Sequence, residues 1–146
     1  MPDRYFEEHE IGQRWVTWAR TVTEADVVNF AGLSGDFYPI HVDQHYAEQS
    51  RFGRRIAHGV LVLSFATGMV PAVPGRVVAF YGIDRLRFLK PTFIGDTVHV
   101  EMEVVDLRDK GEAGGIVDYA MRIVNQHGDP VIACNYLLLM HKRPAA

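Results

Sequence analysis

The chain has 146 residues, 48% of them hydrophobic and 23% charged, with a formal net charge of −3; this is ordinary globular composition, and a chain of this size buries roughly 68–70% of its unfolded surface. The acidic balance lacks the basic footprint of a nucleic-acid binder, and the single cysteine, Cys134, excludes an internal disulfide. The longest apolar run, residues 60–73, is too short and too interrupted to span a bilayer. The first residues are polar and hold no central apolar segment, so no signal peptide is expected and a cytoplasmic protein follows.

Residues 1–12 read as an arm ending at Gly12, and residues 14–22, rich in β-branched and aromatic side chains, read as a first strand. Thr23 suits a helix N-cap, with Glu24 and Asp26 in the first turn. Val27, Phe30 and Ala31 fall at helical spacing, which predicts a short helix over 24–33. The stretch 30–41 carries Gly35 and Pro39 and is expected to be non-helical. Asp43 can cap a second short helix through Tyr46 and Ala47. Residues 50–57 form a basic loop with Arg51, Arg54 and Arg55.

The run from His58 to Val70 is apolar on nearly every face and stops at Pro71, which predicts a buried central helix. Four strands follow, over 77–89, 96–107, 115–126 and 130–142. The clearest alternation sets Val98, Val100, Met102 and Val104 against Thr97, His99, Glu101 and Glu103. Residues 109–115 and 126–130 are turns between them. Helices early and strands late give an α+β fold with a mainly antiparallel sheet, and a curled sheet would cover the one long apolar helix. With no repeats or linkers, residues 1–146 are expected to form a single domain.

Asp36 and His41 are the chemistry-bearing pair. A carboxylate and an imidazole on one short turn can grip a water molecule and move its protons. The same pair also fits a plain turn beside a structural imidazole, and the rest of the chain has to decide between the two. The histidines do not fall at metal-site spacings, so no metal is expected.

Three stretches, Leu33 to His41 followed by Ala47, Ile56 to Leu61, and Phe88 to Val98, resemble in their order the MaoC-like, or (R)-specific enoyl-CoA hydratase, group of hot-dog folds. The resemblance implies an antiparallel sheet wrapped around a long central helix. It implies a homodimer, or a dimer of dimers, joined through a continuous sheet. It implies acyl-CoA thioester substrates of fatty acid metabolism, reversible hydration of a 2-enoyl group, and no cofactor beyond the coenzyme A of the substrate.

By the same resemblance Asp36 and His41 are the catalytic pair, their division of labour open, and Gly59 anchors the thioester carbonyl. Free amides at a helix start suit a developing enolate oxygen there. His58, Tyr38 and Ser64 are further substrate-binding candidates, and Thr67 lies near Ser64. The group usually has Asn where Tyr38 stands, so Tyr38 is expected to narrow or re-aim the pocket. Arg51, Arg54, Arg55, Arg85, Arg87 and Lys90 are candidates for the coenzyme A phosphates. Two other readings compete. One is an acyl-CoA thioesterase, disfavoured because residues 60–70 contain no Asp or Glu. The other is a non-catalytic hot-dog subunit that binds acyl thioesters.

Overall fold

The computed structural model of the chain describes residues 2–144; the first residue of the expected arm and the last two of the expected domain lie outside the described residues. In chain order the elements are β1 (Arg14–Val16), β2 (Arg20–Thr21), α1 (Glu24–Ser34), α2 (Pro39–Val42), α3 (Gln44–Gln49), α4 (Gly59–Met69), β3 (Val77–Phe88), β4 (Thr97–Asp109), β5 (Gly115–Asn125) and β6 (Pro130–Met140). The strands form one antiparallel sheet in the order β1-β4-β5-β6-β3, with β2 also paired to β4. This is the hot-dog arrangement, a curled sheet around a helix.

The four long strands lie within a few residues of the expected bounds, and in β4 period-two alternation fixes which face is buried. Val98, Val100, Met102 and Val104 of β4 are buried and the residues between them are not. They join Tyr119 and Met121 of β5, Leu138 of β6 and Val62, Phe65 and Ala66 of α4 in one apolar cluster. Each such side chain, fully buried, contributes about 1.5–3 kcal/mol. An isolated helix of this length is marginal in water, so side-chain burial rather than helix propensity holds α4.

Two differences from the sequence reading have clear causes. The single strand expected over 14–22 is two, because the Thr17 side chain intrudes: its Oγ1 accepts from the Val100 N–H at 3.0 Å, taking a place a backbone carbonyl would fill. The central helix is also not buried on every face. The sheet covers one side only, and Val60, Ser64, Thr67 and Gly68 form an exposed stripe three to four residues apart, with Val60 57% exposed. The flanking strand β3 is mostly exposed as well and pairs only with β6 among the described residues. Its register breaks at bulges, and Arg85 there holds a left-handed φ of 54°.

The N-terminal arm is fastened across the far end of the sheet. The Phe6 N–H donates to the His141 carbonyl at 2.9 Å, the Arg143 N–H donates to Glu7 Oε2 at 3.0 Å, and the Arg143 guanidinium pairs with Glu8 at 2.7 Å. The Phe6 ring occupies the space that a Cβ on Gly115 would need. Buried His9 donates from Nδ1 to the Tyr5 carbonyl and accepts the Tyr119 hydroxyl at Nε2, each at 3.0 Å. Burial lowers its pKa and favours this neutral form.

The two sides of α4 should respond differently to charge. Val62 is fully buried, so Val62→Asp places an unpaired charge in the core at a cost of several kcal/mol. It is expected to abolish cooperative unfolding in denaturant titrations, whereas Val60→Asp on the open stripe is expected to keep it.

Candidate active site

The site begins where α1 ends. Thr23 caps that helix: its hydroxyl accepts from the Asp26 N–H at 3.2 Å, while the Asp26 carboxylate accepts from the Thr23 N–H at 2.8 Å. Gly35 ends it in the left-handed region at φ 77°, where a side chain would be strained. Asp36 follows at once. Its N–H donates to Ser34 Oγ and its Oδ1 accepts from the Tyr38 N–H, both at 3.2 Å. This short turn points the chain into α2, with Pro39 at the first helical position. The expectation of a non-helical stretch over 30–41 therefore holds only for residues 35–38. Asp43 caps α3 as expected, accepting from the Tyr46 N–H at 2.9 Å.

One turn into α2 stands His41, half buried. Its Nδ1 lies 2.7 Å from the Ile56 carbonyl. A carbonyl can only accept, so Nδ1 carries the ring proton and Nε2 keeps a lone pair. Burial is the main influence lowering the His41 pKa, and His58 adds to it. The Ile56 hydrogen bond and Asp36 act the other way without reversing it. The ring is thus neutral with an open acceptor nitrogen.

Beneath it lies His58, the N-cap of α4 and only 3% exposed. Its ring stacks on that of His41, centroids 3.9 Å apart and planes at 26°, and Phe30 leans on its other side at 4.9 Å. Its Nε2 donates to the Asp36 backbone carbonyl at 2.9 Å. Its Nδ1 is buried without a hydrogen-bond partner.

Side-chain ligand atoms of Asp36, His41 and His58 all lie within 4.8 Å of one another, close enough to suggest a metal. The stacking argues against it. Two face-to-face imidazoles direct their in-plane lone pairs alongside each other, so one ring would have to leave the stack to share an ion at about 2.0–2.1 Å.

A cavity of about 420 Å³ opens beside His41, and Arg51, Gly59, Phe88, Lys90 and Thr92 are among the residues lining it. Gly59 is the first residue of α4. It lies against the Phe88 ring: a Cβ there would lie 2.6 Å from the ring, which, being half exposed, would have to move aside to admit it. The sequence reading had placed Phe88 within a fold motif and gave it no part in the site. Nothing in the sequence signals that its ring reaches Gly59 across 29 positions.

The remaining candidates sit elsewhere. Tyr38, expected to shape the pocket, is 57% exposed and is not among the residues lining this cavity, but its ring lies edge-on to that of His41 with centroids 6.4 Å apart. It leans on Tyr46 with ring centroids 6.4 Å apart, and a hydrogen bond from this pair raises the Tyr46 phenol pKa. Ser64 lies on the open stripe and donates to the Leu61 carbonyl at 2.6 Å; Thr67 donates to the Ser64 carbonyl at 2.7 Å.

Among the basic residues, Arg51 and Lys90 line the cavity, with Lys90 paired to Asp129 at 2.7 Å. Arg54 stacks on Phe93 at 3.8 Å. Arg55 grips Glu24 through two hydrogen bonds of 2.7 Å and so fastens the loop to α1. Arg85 and Arg87 are exposed on β3, away from the cavity wall.

Comparison with known proteins supplies independent findings. A family model described as the MaoC like domain matches residues 7–122. Protein MaoC of Klebsiella aerogenes is 46% identical over 100 residues, covering 68% of this chain and 30% of that protein, so the chain spans about three tenths of that relative's length. The (R)-specific enoyl-CoA hydratase of Aeromonas caviae is 37% identical over 120 residues, covering 82% of this chain and 86% of the hydratase. A solved structure of a monoamine oxidase regulatory protein from Archaeoglobus fulgidus superposes with a TM-score of 0.90 at 43% identity, covering 97% of this chain and 96% of its own.

The contact between Gly59 and Phe88 is open to a double-mutant cycle. Gly59→Ala gains up to about 1 kcal/mol of helix propensity, and displacement of the Phe88 ring is expected to offset that gain in denaturant unfolding. In a Phe88→Leu background the same change is expected to be more favourable, a coupling of about 0.5–3 kcal/mol. Equal effects in both backgrounds would mean that the ring does not oppose a side chain there.

Proposed function

The chain belongs to the MaoC-like dehydratase family, and from that premise we propose that it is a hydro-lyase that adds water across a 2-enoyl thioester and removes it from the 3-hydroxyacyl thioester, with (R) stereochemistry. The observation that carries the reading is the His41 tautomer: a neutral ring close to Asp36, its proton committed to Ile56 and its Nε2 left with a lone pair. That is the form a general base needs.

In the hydration direction a water lies between Asp36 and His41 Nε2. His41 takes one proton as the oxygen bonds to C3. The C2–C3 π electrons move towards the thioester, whose oxygen becomes an enolate. The amides opening α4 at Gly59 stabilise that charge, since the first N–H groups of a helix have no partner within it. The enolate collapses as C2 takes a proton from the pair, restoring the thioester. Asp36 holds the water's other hydrogen and orients it. The cavity flanked by Arg51 and Lys90 receives the thioester arm and an anionic carrier such as coenzyme A. The competing thioesterase reading looks for a carboxylate on the central helix, and residues 60–70 contain no Asp or Glu.

A second copy completes the assembly in this proposal. The unpaired outer edge of β3 and the exposed Val78, Phe80 and Tyr81 suit pairing with a β3 edge of the same kind, giving a homodimer with a continuous sheet. Its cofactor requirement is none.

Crotonyl-CoA is the first substrate to test, by loss of its enoyl-thioester absorbance without release of free thiol. Asp36→Asn and His41→Ala are each expected to lower turnover by about 10²–10⁴-fold; near-normal rates in both would overturn the assignment. The pH profile gives a separate check. The base works unprotonated and its pKa is depressed, so kcat/KM should fall only as pH drops below the ordinary imidazole value of about 6.5. An acid limb above that value would contradict a buried His41 base.

A further inference from the structure

We infer that His58 is a positioning residue: its imidazole ties the Asp36 backbone to the His41 ring and so sets the separation and proton pattern of the pair. The inference rests on the hydro-lyase reading of the same site.

Asp36 and His41 sit on different pieces of local structure, a turn and a four-residue helix, and neither holds the other directly. The His58 ring spans them. Its Nε2–H reaches the Asp36 carbonyl at 2.9 Å, while its face lies on His41 at 3.9 Å between centroids. Among side chains of this size only imidazole combines a flat ring with an N–H. Phenylalanine would stack without donating, and glutamine would donate without stacking.

The ring is 3% exposed and sandwiched by Phe30, so it acts through its neighbours. Donation from Nε2 leaves Nδ1 as the acceptor, and Nδ1 is the atom found buried and unpaired. Native proteins avoid such orphaned acceptors. Keeping one here is intelligible if the same ring must both stack and donate.

The groups facing His41 can be named element by element. Asp36 and Tyr38 come from the turn, His58 from the start of α4, and Arg51 and Lys90 from the walls of the shared cavity. Of these, His58 opposes protonation of His41 and Asp36 favours it.

Two variants and one direct observation test the tie. His58→Phe keeps the stacking surface and His58→Gln keeps a donor. Each is expected to lower kcat on crotonyl-CoA by about 10²-fold with KM little changed, because the reacting groups are misplaced while the binding surface is intact. In both, the acid limb of kcat/KM should move to higher pH, since the neighbour opposing His41 protonation is gone; the unchanged KM separates this from a general loosening of the site. Wild-type kcat with an unmoved acid limb in either variant overturns the inference.

Histidine 15N NMR on the wild-type protein at neutral pH reads the tie without turnover and without a variant that must fold. His58 should carry its proton on Nε2 and His41 on Nδ1. A His58 proton on Nδ1 overturns the inference even if hydration is found. Absence of hydration across an enoyl-CoA panel, with both tautomers as stated, would instead sink the hydro-lyase reading and leave the tie standing.

Discussion

The hydrogen bond from His41 Nδ1 to the Ile56 carbonyl is the contact on which the candidate site turns. A neutral imidazole has one proton for two nitrogens. Spending it inward decides that the outward nitrogen is basic. The carbonyl that accepts it is itself held from two sides: the Ile56 N–H donates to Ile40, and the next residue, Ala57, donates to Thr92 beside the sheet. An isolated bridge between Ile56 and Phe93 adds to this. The sheet thus dictates, through two short loops, where a proton sits on a helix it barely touches.

The arrangement puts chemistry on segments with little stability of their own. α2 has four residues and α3 six, lengths at which a free helix does not persist in water. Each is anchored instead by one buried side chain, Ile40 and Ala47 respectively, and α3 also by its Asp43 cap. α1 is secured in the same manner through Val27 and Ala31. Because every piece leans on the next, the geometry of Asp36, His41 and His58 is a collective property, and stacking across segments does what a long rigid element does elsewhere.

Much of this was legible from residues in sequence. Alternation placed β4 because burial on one face forces a period of two, the turn residues at 109–115 and 126–130 bounded the strands around it, and Thr23, Asp43 and Pro71 announced helix boundaries through chemistry local to the backbone. The motif order located Asp36, His41 and Gly59 near one another, as the structure also places them. What failed to show was whatever depends on side chains meeting across the fold. Thr17 looks like any strand threonine until its hydroxyl takes the Val100 amide. Gly59 reads as a gap for a ligand, whereas the Phe88 ring already fills the space. The central helix reads as wholly buried because apolar composition does not say how many sides the sheet will cover.

The fastening of residues 6–8 to residues 141–143 has a bearing on how such a fold can be reused. The segment before the first strand and the segment after the last run side by side, hydrogen-bonded to each other. A unit of that kind can be spliced into a surface loop of a host, or strung to another copy by a short connector, without unthreading a strand. It can equally be recut, its ends sealed and a new opening made at the exposed turn around Gly128, with the strand order left as it is. Modularity here is a property of topology, available before any selection for larger architectures acts on it.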